Sequence, residues 1–385
     1  MEKVNALIDQ IAVSASTLTQ VERNQVTDRL RDLSISLEDL QMSARRVLYS
    51  PLQLMALRVG CDIGLWKILC DGKRAFTTDE LSRTTNVAPL LMGRLLRYMA
   101  SVRLIQETDK DEFAANNVTQ TFAISGYDSA VRYQFDHFAK AVAHTPTFLK
   151  ERGYKDVDDS KDCPFPTAHG SDLLTFDFLA QKHPKAFEHF HQFMVVHRWG
   201  MPTWLDTYPY KQAAEGLDPE RVFFVDIGGG FGHQSVALRK MLPDLTSRIV
   251  VQDLAATLKD APEHAGVEMM AYDFFEPQQI KGAKIYYLRN VLHDWPDDRA
   301  VTILANVREA MSPDSVLLID ETYLPTQNVH WGQTQRDLTM MVTLSAIERT
   351  ESLWNDLLDK SGLKLQKLYP YIEWLGDCVL ECVVV

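Results

Sequence analysis

The chain has 385 residues with a net charge of −12, 46% hydrophobic and 24% charged residues. That length calls for more than one domain, and the acidic balance excludes a basic face for nucleic acid. No apolar run approaches the roughly 20 residues of a membrane span, and "MEKVNALIDQIAVSAS" does not read as a signal peptide. Five scattered cysteines, Cys61, Cys70, Cys163, Cys378 and Cys382, have no metal-binding or disulfide spacing, which fits a reducing, cytoplasmic setting.

From the N-terminus, "VNALIDQIAVSASTLTQV", "VTDRLRDLSISLEDL" and "SPLQLMALRVGCDIGLWKIL" place apolar residues at helical spacing. In "FTTDELSRTTNVAPLLMGRLLRYMASVRLIQE", a short helix starts at Thr78, "TNVAP" turns, and a second helix runs from Leu90 to near Val102. With "LIQETDKDEFAANNV" as a hairpin, this is a winged helix-turn-helix. In so acidic a chain the module is expected to serve dimerisation and pocket formation rather than DNA. The amphipathic N-terminal helices carry more apolar surface than a monomer buries, so a homodimer is expected. The division expected is a helical, winged-helix dimerisation domain over 1–120, a helical connecting and pocket segment over 121–215, and a catalytic domain over 216–385.

After residue 220 the pattern alternates strand and helix. "RVFFVDIG", "SRIVVQDL", "VEMMAYDF", "KIYYLRNV" and "SVLLIDETY" are apolar runs ending in polar residues, with helical stretches between them. This predicts an α/β, doubly wound (Rossmann-like) sheet with functional residues at the carboxyl ends of its strands. "LKLQKLYPY" and "DCVLECVVV" follow too closely for a helical crossover. They should pair antiparallel at one edge, making seven strands.

The first of these strands runs into "VDIGGGFGH". A nicotinamide fingerprint begun at Gly228 needs a glycine where His233 stands, so the pattern is instead Asp226, Gly228, Gly229, Gly230, Gly232. Alone it fits a ligand-approaching turn or a plain strand-to-helix turn. The second strand ends in Asp253, followed by Leu254, where an acidic side chain hydrogen-bonds ribose hydroxyls. The third ends in Asp273 and Phe274, a carboxylate and an aromatic face suited to adenine. No phosphate-binding lysine accompanies them. A ribose-and-adenine site without phosphate machinery points to S-adenosyl-L-methionine; no metal is expected.

With "VDIGGGFG", "VVQDL", "YDFF", "YYLRNVLHDWPDD", "DETYLP" and "IERTESLW", the region from Val222 onward resembles small-molecule O-methyltransferases of the plant caffeic-acid and fungal secondary-metabolite type. The helical half is similar to that family's dimerisation domain. The resemblance implies intertwined homodimers and places a general base at His293, with orienting carboxylates at Glu321 and Glu348. His293 stands just past the fourth strand of the sheet, and a base near neutrality suits a phenolic acceptor. Asp294 and Trp295 are read as shaping the loop. Arg289 stands where plant members carry a lysine that touches the cofactor through its backbone, its side chain being read as solvated.

Phe190 to Met194, with Met340 and Met341, are candidate walls of an apolar acceptor pocket, or equally core residues. The plant "GGxERTE" pattern is lost, since Ser345, Ala346 and Ile347 precede Glu348. That departs from plant phenylpropanoid acceptors and leaves an aromatic or polyketide-type substrate. A second reading is a pericyclase that keeps the cofactor for its charge and polarises a carbonyl with His137 and Arg198; the bland alternative pairs Arg198 with an acidic residue.

Overall fold

The structure is a computed structural model that describes residues 1–259 and 261–385. It divides into two compact units, Met1–Val131 and Arg132–Val385. Among the described residues, no helix is long and apolar enough to cross a membrane.

In the first unit, helices Glu2–Ala15, Gln20–Ser36 and Leu40–Leu48 bury no residue within the single chain. The winged module follows. Its first helix, Thr78–Thr85, starts at a reciprocal cap: Glu80 N–H donates to Thr77 Oγ1, and Thr77 N–H donates to Glu80 Oε2 at 2.8 Å. Asn86, at φ +57°, ends it in the left-handed region, and Pro89 opens the second helix, Pro89–Ser101. Strands β1 (Phe76–Thr77), β2 (Gln106–Asp109) and β3 (Glu112–Ala114) form the wing in the order β1-β3-β2. Leu65, Trp66, Leu81, Met92, Leu96 and Phe113 are among its buried core.

The second unit carries β4 (Phe224–Ile227), β5 (Ile249–Asp253), β6 (Glu268–Ala271), β7 (Ile285–Arg289), β8 (Val316–Thr322), β9 (Leu363–Ile372) and β10 (Asp377–Val384). The seven strands lie in the order β6-β5-β4-β7-β8-β10-β9. β10 inserts antiparallel between β8 and the edge strand β9, as the tight spacing of the last two apolar runs requires. The central strands are buried on both faces. Phe224, Tyr287, Leu318 and Val379 pack into one core, and Val225, Leu288, Ile319 and Leu380 into the other. That is why they read as continuous apolar runs rather than alternating ones.

The helical segment after Arg132 packs on the helix Trp331–Leu344. Thr175 Oγ1 donates to the Thr343 carbonyl, Cys163 Sγ lies 3.4 Å from the Val342 carbonyl oxygen, and Tyr133, Phe165, Phe178 and Val342 share a core. All five cysteines are free thiols.

Candidate active site

The five residues after β7 leave the sheet sharply: Asn290 takes φ +51°, and Leu292–Asp294 form one 3-10 turn. Two buried side chains fix this loop from below. Glu321, on β8, accepts the backbone N–H groups of Val291 and Leu292 on one oxygen, each at 2.8 Å. Arg349, 1% exposed, donates to the Leu292 carbonyl at 2.7 Å and the Trp295 carbonyl at 2.8 Å, and pairs with Asp297 at 3.0 Å. Such charge-assisted bonds to buried backbone are each worth about 1.5–3 kcal/mol. They hold His293 on a rigid turn.

Around His293 three carboxylates converge. Nδ1 lies 3.1 Å from Glu348 Oε1 and 3.6 Å from Glu321 Oε2, and Nε2 lies 3.5 Å from Asp294 Oδ1. Glu348 is thus the hydrogen-bonding partner of the imidazole. Glu321 holds the backbone of the loop, which corrects the expectation that both glutamates orient the ring alike. Asp294 also does more than shape the loop, since it faces the other ring nitrogen. Burial alone would push the imidazole down, but Glu321, Asp294 and Glu348 overcome it and hold it up at about 10. Burial would likewise raise Glu348, yet the bond to His293, its charge and that of Arg336 bring it down to about 2.

The glycine turn adjoins this loop. Gly228, Gly230 and Gly232 have φ of +71°, +57° and +77°. A Cβ on Gly228 would come within 2.9 Å of Val291 and 3.7 Å of Phe274, and one on Gly229 within 2.6 Å of Asp226. Gly230 by contrast faces open space, with nothing within 4 Å of an added Cβ. Asp253 receives the Gly230 N–H at 2.8 Å on one oxygen and the Leu254 N–H at 2.8 Å on the other. Both oxygens keep a free acceptor site. An open backbone cradle, a fixed carboxylate and an aromatic face converge, and they fit an adenosyl group.

Asp226 is buried behind the turn, accepting from Ser235 Oγ at 2.7 Å, and burial pushes it up to about 6. It braces the cradle rather than facing a ligand. Asp273 is exposed and accepts the Phe275 N–H at 3.0 Å. Arg289 is not solvated, as its sequence position suggested: it is largely buried and pairs with Asp320 at 3.1 Å, whose carboxylate also accepts the Tyr287 and Tyr371 hydroxyls. Desolvating that guanidinium requires the partner.

The candidate acceptor walls lie in the same unit. Met341 lines a cavity of about 450 Å³ with Val157, Trp295, Leu338, Ala346 and Ile347. Met340 and Met194 are half-buried. The Phe190 ring lies 5.3 Å from that of Tyr133 and 5.6 Å from that of Phe176. His137 sits in a single π turn, Gln134–Phe138, with the rings of His169 and His183 at 5.7 and 5.0 Å. Burial first, then those two neighbours, lowers it to about 4, so it is neutral at physiological pH. Arg198 is paired through both terminal nitrogens with buried Asp377, a carboxylate it shares with Arg336.

Arg336 and Arg349 were not singled out from sequence. Arg349 was visible only as the second letter of "ERTE"; Arg336 was visible only as a cation on the helix of mixed composition twelve residues before Glu348.

Sheet order, glycine turn, strand-end Asp253 and caged histidine together define a methyltransferase of the doubly wound class. A profile described as "O-methyltransferase domain" matches residues 154–364, and the chain belongs to that family. Demethylsterigmatocystin 6-O-methyltransferase of Aspergillus parasiticus is 40% identical to it, the match covering 90% of this chain and 89% of that one. The O-methyltransferase LepI of Aspergillus flavus is 36% identical over 96% of each. A structure of LepI in complex with SAM superimposes with a TM-score of 0.90 at 35% identity, covering 100% of this chain and 99% of that one. A structure described as a pericyclic reaction enzyme also matches at 0.90 and 35%, covering 100% of each. OxaC, at 23% identity and 0.81, shares the fold.

Proposed function

We propose that the protein is an S-adenosylmethionine-dependent O-methyltransferase acting on a hydroxyl of a small aromatic or polyketide-type fungal secondary metabolite. The observation that carries this is His293, held by Glu348 on a turn stapled by Glu321 and Arg349, beside the glycine cradle.

Gly228, Gly229 and Gly230 with Asp253, Leu254, Asp273 and Phe274 hold the cofactor, Asp226 and Arg289 supporting them from behind. When bound, S-adenosylmethionine supplies an electrophilic methyl on a positively charged sulfur. Glu348 holds the proton on Nδ1, so it is Nε2 that exchanges protons: once the caged imidazolium has released its Nε2 proton, that nitrogen takes the acceptor's. Asp294, on the Nε2 side, stabilises the imidazolium so formed. The half-buried methionines and Phe190 give the acceptor an adaptable apolar wall. The protein works as a cytoplasmic homodimer, joined through the apolar faces that its first three helices leave uncovered.

The LepI likeness favours a second reading, pericyclic catalysis with the cofactor retained. In that reading neutral His137 polarises the substrate, while Arg198 is held on Asp377 by both terminal nitrogens. Quantifying product against S-adenosylhomocysteine decides between them, with demethylsterigmatocystin and other hydroxylated polyketides as probes. One S-adenosylhomocysteine per O-methylated product is expected. New product in excess over S-adenosylhomocysteine would overturn the methyltransferase reading.

A further inference from the structure

A base that must give up its proton each turnover is poorly served by three carboxylates alone. The groups facing His293 are Asp294 from its own turn, Glu321 from β8 and Glu348 from the segment before the helix Glu351–Lys360. Arg349 is spent on the carbonyls of Leu292 and Trp295 and on Asp297, and Arg289 on Asp320. Asp337 accepts the Glu348 N–H at 3.0 Å and adds no positive charge. Among the described residues one cation remains against the cage. Arg336, from the helix Trp331–Leu344, places Nε 3.1 Å from Glu348 Oε1, the same oxygen that His293 Nδ1 meets at 3.1 Å.

The Arg336 side chain is 16% exposed and further fixed by Asp377, 2.7 Å from Nη1, which itself holds Arg198. A buried series of alternating charge thus runs Arg198, Asp377, Arg336, Glu348, His293. Removing Arg336 would leave Glu348 to the imidazole alone.

We propose that Arg336 is a positioning residue for proton transfer: by sharing Glu348 Oε1 with His293, it lets that carboxylate orient the ring while weakening the cage's hold on the ring proton. The sign follows from electrostatics. A fixed cation one carboxylate away disfavours the imidazolium, and at an effective dielectric near 20 it does so by about one to two pH units. The proposal rests on His293 being the base, and its test reads the proton directly rather than turnover.

The measurement is a pH titration of the His293 Cε1–H resonance by NMR in protein labelled with ¹³C-histidine, with saturating S-adenosylmethionine and no acceptor. The resonance is identified by its loss in His293→Gln. In Arg336→Met the midpoint should rise by about one unit or more, while Arg336→Lys, which keeps the cation, should stay within about half a unit of wild type. If Arg336→Met does not fold, Arg336→Gln takes its place. A midpoint that stays put, or falls, in the neutral variants overturns the proposal even if His293→Ala abolishes methyl transfer. Methyl transfer surviving in His293→Ala overturns the base reading, whatever the titration shows.

Discussion

Two glutamates that look equivalent in sequence carry different loads. Glu321 was legible as a carboxylate at a strand end, but its engagement with two backbone N–H groups was not, because a backbone donor has no residue identity to read. The same holds for Arg349, whose partners are mostly carbonyls. Asp253 was legible, since its position at the end of the second strand is fixed by fold and spacing. Arg289 was misread because its partner, Asp320, lies on a neighbouring strand 31 positions away, in register across β7 and β8. His197 makes a pH prediction of its own. Nδ1 meets the Met194 carbonyl at 2.9 Å and Nε2 accepts from Arg198 Nε at 3.2 Å, so only the neutral ring fits. Burial, with the nearby arginines, lowers it to about 4. The unfolded chain therefore takes up its proton first. Stability is intact above about 6.5 and is lost as pH falls from there towards 4. Between pH 6.5 and 4.5 the melting temperature of wild type should fall further than that of His197→Asn, by about 2 °C or more, in scanning calorimetry. Equal losses would show that the ring is not held neutral.

The strands were the easiest elements to read, the central ones because burial on both faces makes them continuous apolar runs. The seven strands of the second unit stand where their apolar runs lie, and the last two pair antiparallel because no crossover fits between them. The winged module was legible from the helix start at Thr78 and the "TNVAP" turn, and the structure puts the cap one residue earlier, at Thr77. Irregular features were not: the π turn at Gln134–Phe138 and the 3-10 turn carrying His293 are set by packing and by side-chain staples, not by periodicity. The first three helices make a prediction as elements. Leu7, Ile8, Leu33, Leu40, Val47 and Leu48 are 51%, 58%, 54%, 91%, 60% and 73% exposed, too much apolar surface for solvent. A second copy of the chain should cover it, so light scattering at micromolar concentration should give twice the 43.9 kDa chain mass. A monomer mass would remove the dimer from the account.

At the scale of the whole molecule, the two compact units have different physical tasks. The first offers uncovered apolar helices and a wing in an acidic chain. The second offers a sheet whose carboxyl ends gather a cofactor cradle and a caged histidine. The sequence pattern changes near residue 220, where helical spacing gives way to strand-helix alternation, whereas the compact units divide between Val131 and Arg132, so the helical stretch up to residue 215 belongs with the sheet. The pattern did not reach the identity of the acceptor. Apolar walls such as Met341 specify size and softness, and in the cavity beside Trp295 they alternate with Asp156, Asp158, Asp297, Asp337 and Arg349, a mixed lining that fits many hydroxylated molecules.

The central claim is that His293 removes the acceptor proton, and single-turnover rates of His293→Ala against a series of phenols of graded acidity test it most directly. Loss of a positioned base costs about 10²–10⁴ in rate. The loss should be largest for the least acidic phenol, shrink steadily as the acceptor ionises by itself, and leave cofactor affinity unchanged. A loss that is the same for every phenol, or smaller than about tenfold throughout, would contradict the claim.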